Sequence, residues 1–304
     1  MQSPLFTVIL ATYNNRDMLP RAIQSVLNQT LPDFELLVID DGSADDTRFV
    51  VERIKDSRIR YIFNTAPSTS CDPPRNLGIK MAQGGLVSFL DEDDIWYPQR
   101  LEKVKKAFDE HPEVSAVCHS ENRRLNGRIT GVNRYGPWAD NFYEILLYEK
   151  NCLSPVAMTI KADLLRELHG FVLRKEFDGA ADYDLWLRMA AKKARIHFIE
   201  EPLGEFSVTG NNFSAVDPTF GLKVAFLIRE HILSYEKRPI FRISKRGLWR
   251  LFQQYYIAGR GFLRRGDNRN ALRCYLQATS LLVFRPALGL KLFSILFRGR
   301  MFQT

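Results

Sequence analysis

The chain has 304 residues, of which 45% are apolar and 26% are charged, and its formal net charge is +8. This composition is ordinary for a globular protein and excludes a chain that is mainly disordered. No run of about 18 uninterrupted apolar residues occurs, so no transmembrane helix is expected, and the N-terminus lacks the basic and apolar regions of a cleaved secretory signal.

The hydrophobic pattern predicts strands and helices that alternate through the first two thirds of the chain. Short apolar runs indicate strands, and apolar residues at helical spacing indicate the helices between them. The predicted strands cover residues 6–10, 35–39, 59–63, 86–90, 114–118, 156–160 and 196–199. The predicted helices cover residues 16–29, 43–55, 74–83, 99–111, 162–168 and 181–193, and the polar segment 120–150 is expected to be a loop region over the sheet.

This alternation predicts an α/β fold with right-handed βαβ units and a mostly parallel, twisted sheet flanked by helices. In such a sheet, ligands bind beyond the carboxyl ends of the strands. Three polar clusters, at residues 11–14, 40–43 and 91–94, follow predicted strands. We therefore expect the three clusters to meet at one edge of the sheet and to form one ligand site.

The strongest chemical signal is the run of four carboxylates from Asp91 to Asp94. Like charges at close range disfavour mutual ionisation, and a divalent cation that prefers oxygen ligands, Mg²⁺ or Mn²⁺, would relieve the repulsion. Residues i and i+2 of an extended segment share a face, so Asp91 and Asp93 can act together. The alternative is a solvated acidic turn, which the position after a buried strand disfavours.

Two other acidic clusters leave alternatives open. Asp40 and Asp41 end a predicted parallel strand, where a carboxylate accepts hydrogen bonds from a base or ribose or else forms a turn or helix cap. Asp182 opens a predicted helix, where the helix dipole stabilises an acid or where the acid serves as a general base. The sequence has neither GxGxxG nor GxxxxGK[ST], which disfavours Rossmann dinucleotide binding and a P-loop, and its four cysteines form no CxxC pair of a zinc ribbon.

Three segments in combination resemble the family 2 glycosyltransferases of the GT-A fold. They are TVILATYNNRDMLPRAIQSVLNQTLPDFELLVIDDGSADDT (7–47), PRNLGIKMAQGGLVSFLDEDDIWYPQRL (74–101) and DYDLWLRMA (182–190). Their order, spacing and strand-end positions agree over about residues 5–205. The resemblance implies a metal-dependent, inverting enzyme that moves a sugar from a nucleotide-diphosphate sugar to an acceptor hydroxyl, in the synthesis of a cell-surface glycan or polysaccharide.

The resemblance implies a nucleotide-binding set of residues. Tyr13 would stack on the base, and Ala11 and Thr12 would offer backbone contacts. Asp41 would accept a hydrogen bond from the base edge, and Arg75 would lie near the base or the diphosphate. UDP- and dTDP-sugars are the favoured donors, with GDP-sugars as a further candidate, and the acceptor is a glycan or a lipid-linked glycan.

The resemblance also implies a metal site and a catalytic base. Asp93 would ligate Mn²⁺ or Mg²⁺, Asp91 would reach the ribose or the metal, and Glu92 would belong to the nucleotide-binding segment. Asp182 would be the general base. The family usually has an acid directly before that base, whereas this chain has Ala181, so a catalytically weak or inactive nucleotide-sugar binding module is the alternative. QxxRW, the mark of processive synthases, is absent, which favours the addition of one sugar per event.

The charge is distributed unevenly along the chain. Residues 1–220 hold 26 basic and 32 acidic side chains, whereas residues 221–304 hold 17 and 3. This shift predicts a catalytic domain at 1–220 and a basic α-helical region at 221–304, broken at Pro239, Gly266 and Pro286 and containing a helical hairpin.

The basic region, 221–304, predicts contact with an anionic membrane surface, with a merely solvated basic face as the alternative. The segment 280–300 combines apolar and basic residues, as in a helix at a membrane interface or a helix that covers a core. No nucleic-acid-binding motif is present. We therefore expect a cytoplasmic protein that does not bind nucleic acid, with peripheral contact to the inner face of the cell membrane as an open alternative.

Overall fold

The computed structural model describes residues 3–65, 67–68, 70–209 and 217–283. The chain divides into two compact units, Met1–Leu146 with Asn151–Asn212 and Leu147–Lys150 with Phe213–Thr304. Within the described ranges, no helix combines the length and the apolar character that crossing a membrane requires.

Four parallel strands form the first part of the sheet. They are β1 (Phe6–Thr12), β2 (Phe34–Asp40), β3 (Ile59–Phe63) and β4 (Leu86–Asp91), arranged in the order β3–β2–β1–β4. The connecting helices are α1 (Leu19–Leu27), α2 (Thr47–Glu52) and α3 (Asp72–Met81). Almost every residue of β1 and β2 is buried, which explains why most residues of the two strands are apolar.

The rest of the first unit makes the sheet a mixed one. The elements that follow, up to residue 208, are β5 (Ile95–Trp96), α4 (Arg100–Glu110), β6 (Ala116–Leu125), β7 (Arg128–Asn133), α5 (Phe142–Tyr148), β8 (Met158–Lys161), α6 (Ala162–Glu167), α7 (Ala181–Ala191) and β9 (Ile196–Val208). Strand β8 runs antiparallel to β4 and β6, and β5 runs antiparallel to β9, whereas β9 is parallel to β6. Over the described residues the order is β3–β2–β1–β4–β8–β6–β9–β5, with β7 paired to β6. A mostly parallel sheet was expected, and parallel pairing is continuous over the first four strands and recurs between β6 and β9, whereas the other pairs are antiparallel.

The expectation of a loop region at 120–150 is wrong for most of that segment. Strands β6 and β7 form a hairpin in which Leu125 pairs with Arg128. The two turn residues, Asn126 and Gly127, have φ values of 49° and 78°, and Asn-Gly is the pair that such a two-residue turn favours. The same correction applies to β9, which continues to Val208 instead of ending at residue 199.

Helix α3 lies unusually close to β1. A Cβ atom at Gly78 would lie only 2.5 Å from Cγ2 of Ile9, so this approach requires a glycine. Arg75 precedes Gly78 by about one turn of the same helix. The close packing therefore fixes where the Arg75 side chain begins.

Three α-helices follow residue 217 in the described part of the second unit: α8 (Phe220–Glu236), α9 (Lys245–Arg264) and α10 (Asn268–Val283). The Ser244 hydroxyl accepts a hydrogen bond from the Gly247 amide at 3.0 Å and caps the start of α9. Helices α9 and α10 form a tight hairpin, because a Cβ at Gly259 would lie 2.6 Å from the Tyr275 ring.

Two of the expected helix breaks fall between these helices. Pro239 lies between α8 and α9, and Gly266 lies between α9 and α10. Pro286 lies outside the described residues, as does the part of the segment 280–300 that follows residue 283.

Candidate functional site

The ends of three neighbouring strands meet at one edge of the sheet. Strand β1 lies between β2 and β4, and the register pairs Thr12 with Asp40 and Ala11 with Asp91. Just beyond the strands, the Asp41 amide donates to the Thr12 carbonyl at 2.9 Å. The clusters 11–14, 40–43 and 91–94 therefore lie side by side, because parallel strands place their carboxyl ends at the same edge.

The first loop is tied to the acidic loop after β4. The Glu92 carboxylate accepts hydrogen bonds from the Thr12 hydroxyl and, at 3.1 Å, from the Tyr13 amide. The Tyr13 side chain takes no part in these bonds, and the residue is 54% exposed. The Tyr13 backbone is thus held in place while its ring stays exposed, so the ring offers a face on which a flat ring can stack.

The same loop is tied to the loop after β2. The Asn14 amide donates to the Ser43 hydroxyl at 2.8 Å, and the Asn14 side-chain oxygen accepts from the Ala44 amide at 2.7 Å. Asn14 has φ of 49°, a left-handed conformation that asparagine tolerates. The two loops therefore form one connected rim.

Asp40 and Asp41 have different partners. Asp40 is buried and accepts hydrogen bonds from the Tyr61 hydroxyl at 2.6 Å and the Ser43 amide at 2.8 Å. It stabilises the turn, one of the two alternatives that the sequence left open for this pair.

Asp41 is held by residues that follow β3. One carboxylate oxygen accepts from the Asn64 side chain at 2.7 Å, and the other accepts from the Ser68 amide and hydroxyl at 2.9 and 2.6 Å. Sequence reasoning did not identify Ser68 or Asn64. The available signal was the position of Asn64 directly after a strand that neighbours β2.

Arg75 is a buried cation at the end of β4. Its guanidinium Nη2 forms an ion pair with Asp91, and its Nη1 lies 3.8 Å from the Asp72 carboxylate. Burial by itself lowers the pKa of Arg75, but its acidic neighbours, Asp91 above all, raise the pKa overall. Arg75 therefore remains charged and binds the carboxylate that ends β4.

The four acids after β4 have separate environments. Burial and the charge of Asp91 raise the pKa of Asp93 to about 7. Asp94 accepts a hydrogen bond from the Ser207 amide of β9 at 2.6 Å, and burial together with the Asp93 charge raises its pKa well above the ordinary value. Asp94 thus anchors β9, while the Asp91 side chain stays about one third exposed.

The donor set at this edge fits a divalent cation that is shared with a substrate. Across the residues that the structure describes, no three His, Cys, Asp or Glu side chains converge to hold a metal by themselves. Mg²⁺ is usually bound in proteins by one or two carboxylates together with substrate phosphates. Asp91 and Asp93 supply two such carboxylates, and a cation would offset the repulsion that raises the pKa of Asp93.

Asp182 belongs to the same group of charges. It is the second residue of α7, and its carboxylate accepts from the Tyr183 amide at 2.7 Å. Burial, followed by the charge of Asp72, raises the pKa of Asp182 to about 6, and the charges of Arg75 and Asp91 also act on it. A carboxylate with a pKa near the working pH has the property that a general base requires.

Comparison with known sequences identifies proteins that are related to this chain. The sequence profile described as Glycosyl transferase family 2 matches residues 7–168. The chain is 41% identical over 195 residues to UDP-Glc:alpha-D-GlcNAc-diphosphoundecaprenol beta-1,3-glucosyltransferase WfgD of Escherichia coli, covering 62% of this chain and 70% of that protein. It is 31% identical over 217 residues to an uncharacterized glycosyltransferase of Rickettsia felis, covering 70% of this chain and 34% of that protein, so the chain spans about a third of the length of this relative.

Two solved structures share the fold. Staphylococcus aureus TarS 1-349 in complex with UDP-GlcNAc has a TM-score of 0.62 at 18% identity and covers 90% of this chain and 91% of that chain. Mannosyltransferase PcManGT from Pyrobaculum calidifontis, in complex with GDP-Man and Mn²⁺, has a TM-score of 0.57 at 18% identity and covers 95% and 81% of the two chains. These likenesses confirm the predicted α/β GT-A fold. Since the family profile spans more than half of the chain and one relative is 41% identical, this chain belongs to glycosyl transferase family 2.

Proposed function

We propose that this protein transfers one sugar from a nucleotide-diphosphate sugar to an acceptor hydroxyl, with inversion at the anomeric carbon. The observation that carries the proposal is the position of Asp182 in one group of charges with Asp91 and Arg75, beside the loops that end β1 and β2. A general base and a site for a charged sugar donor therefore lie at one edge of the sheet.

Different residues contact the nucleotide base and the diphosphate of the donor. The Tyr13 ring stacks on the base, the Ala11 and Thr12 backbone lines the base pocket, and Asp41, fixed by Ser68, accepts a hydrogen bond from the base edge. Arg75 lies next to the diphosphate. Glu92 holds Thr12 and Tyr13 in place.

Asp182 acts on the acceptor. Its carboxylate takes the proton from the acceptor hydroxyl while that oxygen forms a bond to the anomeric carbon. The bond from the anomeric carbon to the diphosphate oxygen breaks, and the nucleoside diphosphate leaves with the electron pair. A single displacement of this kind inverts the configuration and needs no covalent enzyme intermediate. Asp91 and Asp93 would hold Mn²⁺ or Mg²⁺, which neutralises charge on the leaving diphosphate.

The relatives support a choice of donor and acceptor class. WfgD is named as acting on UDP-Glc and a diphosphoundecaprenol-linked acceptor, and the TarS and PcManGT structures contain UDP-GlcNAc and GDP-Man. We favour a UDP- or dTDP-sugar as the donor, with a GDP-sugar as the next candidate. The acceptor is a glycan or a lipid-linked glycan, and the product is part of a cell-surface polysaccharide.

A second candidate function is nucleotide-sugar binding with weak or no catalysis. The observation that favours it is Ala181, a buried residue directly before Asp182. The family 2 glycosyltransferases usually carry an acid at this position. Loss of that acid removes a group from the acceptor side. The residues around the nucleotide base and the diphosphate are unchanged. Both candidates therefore share the donor site and differ in turnover.

Calorimetry with UDP, dTDP, GDP and CDP, each with and without Mn²⁺, tests the donor site. We expect one nucleotide to bind in a metal-dependent way, and Asp93→Ala to remove that dependence. Asp17→Ala is the matched control, because the Asp17 side chain is 90% exposed and contacts only Arg16 among the ion pairs described. If no nucleotide binds to the folded wild type, both candidate functions are wrong.

Membrane-surface contact by the basic region is part of the proposal. Four exposed residues share one face of α10, namely Arg269, Leu272, Arg273 and Leu276. Residues 245–283 contain eight basic side chains and one acidic side chain, Asp267. A basic face with interspersed leucines suits an anionic lipid surface, and it supports a cytoplasmic protein attached peripherally to the inner face of the cell membrane.

A further inference from the structure

The first turn of α3 contains a buried carboxylate that the proposed reaction does not use. Asp72 is 3% exposed, and carboxylates are rarely buried unless they are paired. Its partners are the Arg75 guanidinium at 3.8 Å and the Ser70 hydroxyl at 3.5 Å. Removing water from a carboxylate is costly, so these contacts indicate a role for the charge.

Arg75 connects Asp72 to Asp91, the last residue of β4. Arg75 is 5% exposed, and its guanidinium contacts Asp72 through Nη1 and Asp91 through Nη2. The Phe171 ring lies 5.6 Å from the guanidinium carbon and packs against the cation. Because both ends of the planar guanidinium are occupied, its orientation toward Asp91 depends on Asp72.

Asp72 also reaches the segment that begins α7. Burial raises the pKa of Asp72, and the Arg75 charge and the Gly179 backbone, three residues before Asp182, act in the opposite direction, so the Asp72 carboxylate lies close to this segment. The groups that act on Asp182 include Asp72, Arg75, Asp91 and the Cys71 thiol. Asp72 thus pairs with Arg75 and also lies near Gly179, in the segment directly before the helix that carries Asp182.

We propose that Asp72 is a positioning residue, which sets the Arg75 guanidinium against Asp91 and fixes the beginning of α7 so that Asp182 faces the donor site. The inference rests on the proposed function of Asp182 as the base. Asp72 does not touch the substrate, because it is buried. It acts through the two residues that do.

Titration of Asp182 by ¹³C carboxyl NMR tests the role of the Asp72 charge without any ligand. The Asp182 signal is assigned from its loss in Asp182→Asn. In Asp72→Asn we expect the pKa of Asp182 to fall by about one unit, because a negative neighbour is removed. Asp72→Glu keeps the charge and should retain most of the wild-type value. Asp163→Asn is the control, since that side chain is 98% exposed.

Calorimetry with UDP and Mn²⁺ on the same variants tests the contact through Arg75. Asp72→Asn should weaken UDP binding about threefold to tenfold, the effect of losing one charged partner of Arg75. A variant that melts earlier but keeps the wild-type Asp182 titration and UDP affinity would show that Asp72 only stabilises the fold, and the proposal would be wrong. If wild type itself does not bind UDP or another nucleotide, the proposed function fails, whereas the titration still decides whether Asp72 acts on Asp182.

Discussion

Ser68 holds one oxygen of Asp41 through two hydrogen bonds, from its amide at 2.9 Å and from its hydroxyl at 2.6 Å. Asn64 occupies the other oxygen at 2.7 Å. A carboxylate offers about four acceptor positions, so these three bonds fix the group and leave room for a hydrogen bond from a base. Asp41 is therefore preorganised before any nucleotide binds.

Ser68→Ala should weaken nucleotide binding without changing the fold. The variant removes the hydroxyl bond, worth about 1 kcal/mol, and leaves Asp41 free to turn away from the base. We expect the Kd for UDP, measured by calorimetry, to rise about fivefold. Ser280→Ala, on the exposed surface of α10, should have no effect, and an equal loss in both variants would contradict a specific role for Ser68.

Asp182→Asn should abolish turnover and keep donor binding. Loss of a general base lowers kcat by about 10²- to 10⁴-fold. The residues around the nucleotide base and the diphosphate are unchanged in this variant. The measurement is sugar transfer or, with water as the acceptor, donor hydrolysis, alongside UDP calorimetry. Asp109→Asn, on the surface of α4, is the control. A variant with wild-type turnover would exclude Asp182 as the base.

The pH dependence of the same reaction follows from the raised pKa of Asp182. The base acts only when it is deprotonated, and its pKa is about 6. The rate should therefore rise with pH through about 6 and level off above it. A profile that is flat between pH 5 and 7, or one that falls as the pH increases through about 6, would contradict this assignment.

A second prediction on pH concerns stability. The buried His119 ring accepts from the Arg100 guanidinium at 3.0 Å through Nε2, so its Nδ1 carries the proton and donates to the Ser120 carbonyl at 2.8 Å. Burial, and then the charge of Arg100, lowers the pKa of His119 to about 3. The unfolded chain binds a proton near pH 6.5 and the folded chain does not, so this residue makes the protein less stable as the pH falls from about 6.5 toward 3.

His119→Gln should remove that contribution. The free energy of unfolding of the wild type should fall by up to about 1.4 kcal/mol per pH unit more steeply than that of the variant below pH 6.5. Urea denaturation at several pH values between 7 and 4 measures the difference. His169→Asn is the control, because His169 is exposed and asparagine tolerates its φ of 57°. Identical slopes in wild type and His119→Gln would refute the prediction.

The buried Arg100 cluster also shows where sequence reasoning ends. Arg100 lies in a predicted helix, yet its guanidinium is buried and donates to His119, Ser88 and Thr159 of three different strands. Such contacts depend on strand order, which an individual sequence does not specify. By contrast, β1, β2 and β4 were predictable because continuous burial made most residues of each strand apolar.

The site could be predicted in the same uneven way. Asp91 and Asp41 follow buried strands, so the geometry of a parallel sheet was enough to bring them together. Ser68 and Asp72 lie outside regular strand-end positions, and no pattern marked them. The β6–β7 hairpin was missed because β7 and the last four residues of β6 are exposed or half-buried and mostly polar, although Asn126-Gly127 was a usable turn signal.

The last prediction concerns the outward face of α10. Leu272 and Leu276 are 58% and 59% exposed, and Arg269 and Arg273 lie on the same face, opposite the buried Ala271 and Cys274. If the face binds anionic lipid, the protein should float with phosphatidylglycerol vesicles at low salt and less at high salt. The double variant Arg269→Glu/Arg273→Glu should lower the partition at least about thirtyfold, since each basic residue contributes about 1 kcal/mol.

The control for this variant must change the net charge equally at a different place. Arg48→Glu/Lys106→Glu does so on the first unit, where the two side chains are 65% and 71% exposed. Loss of binding in the α10 variant alone assigns the membrane contact to this face, because overall charge is matched. Equal loss in both variants would mean that only net charge matters, and no flotation of the wild type at low salt would refute membrane contact altogether.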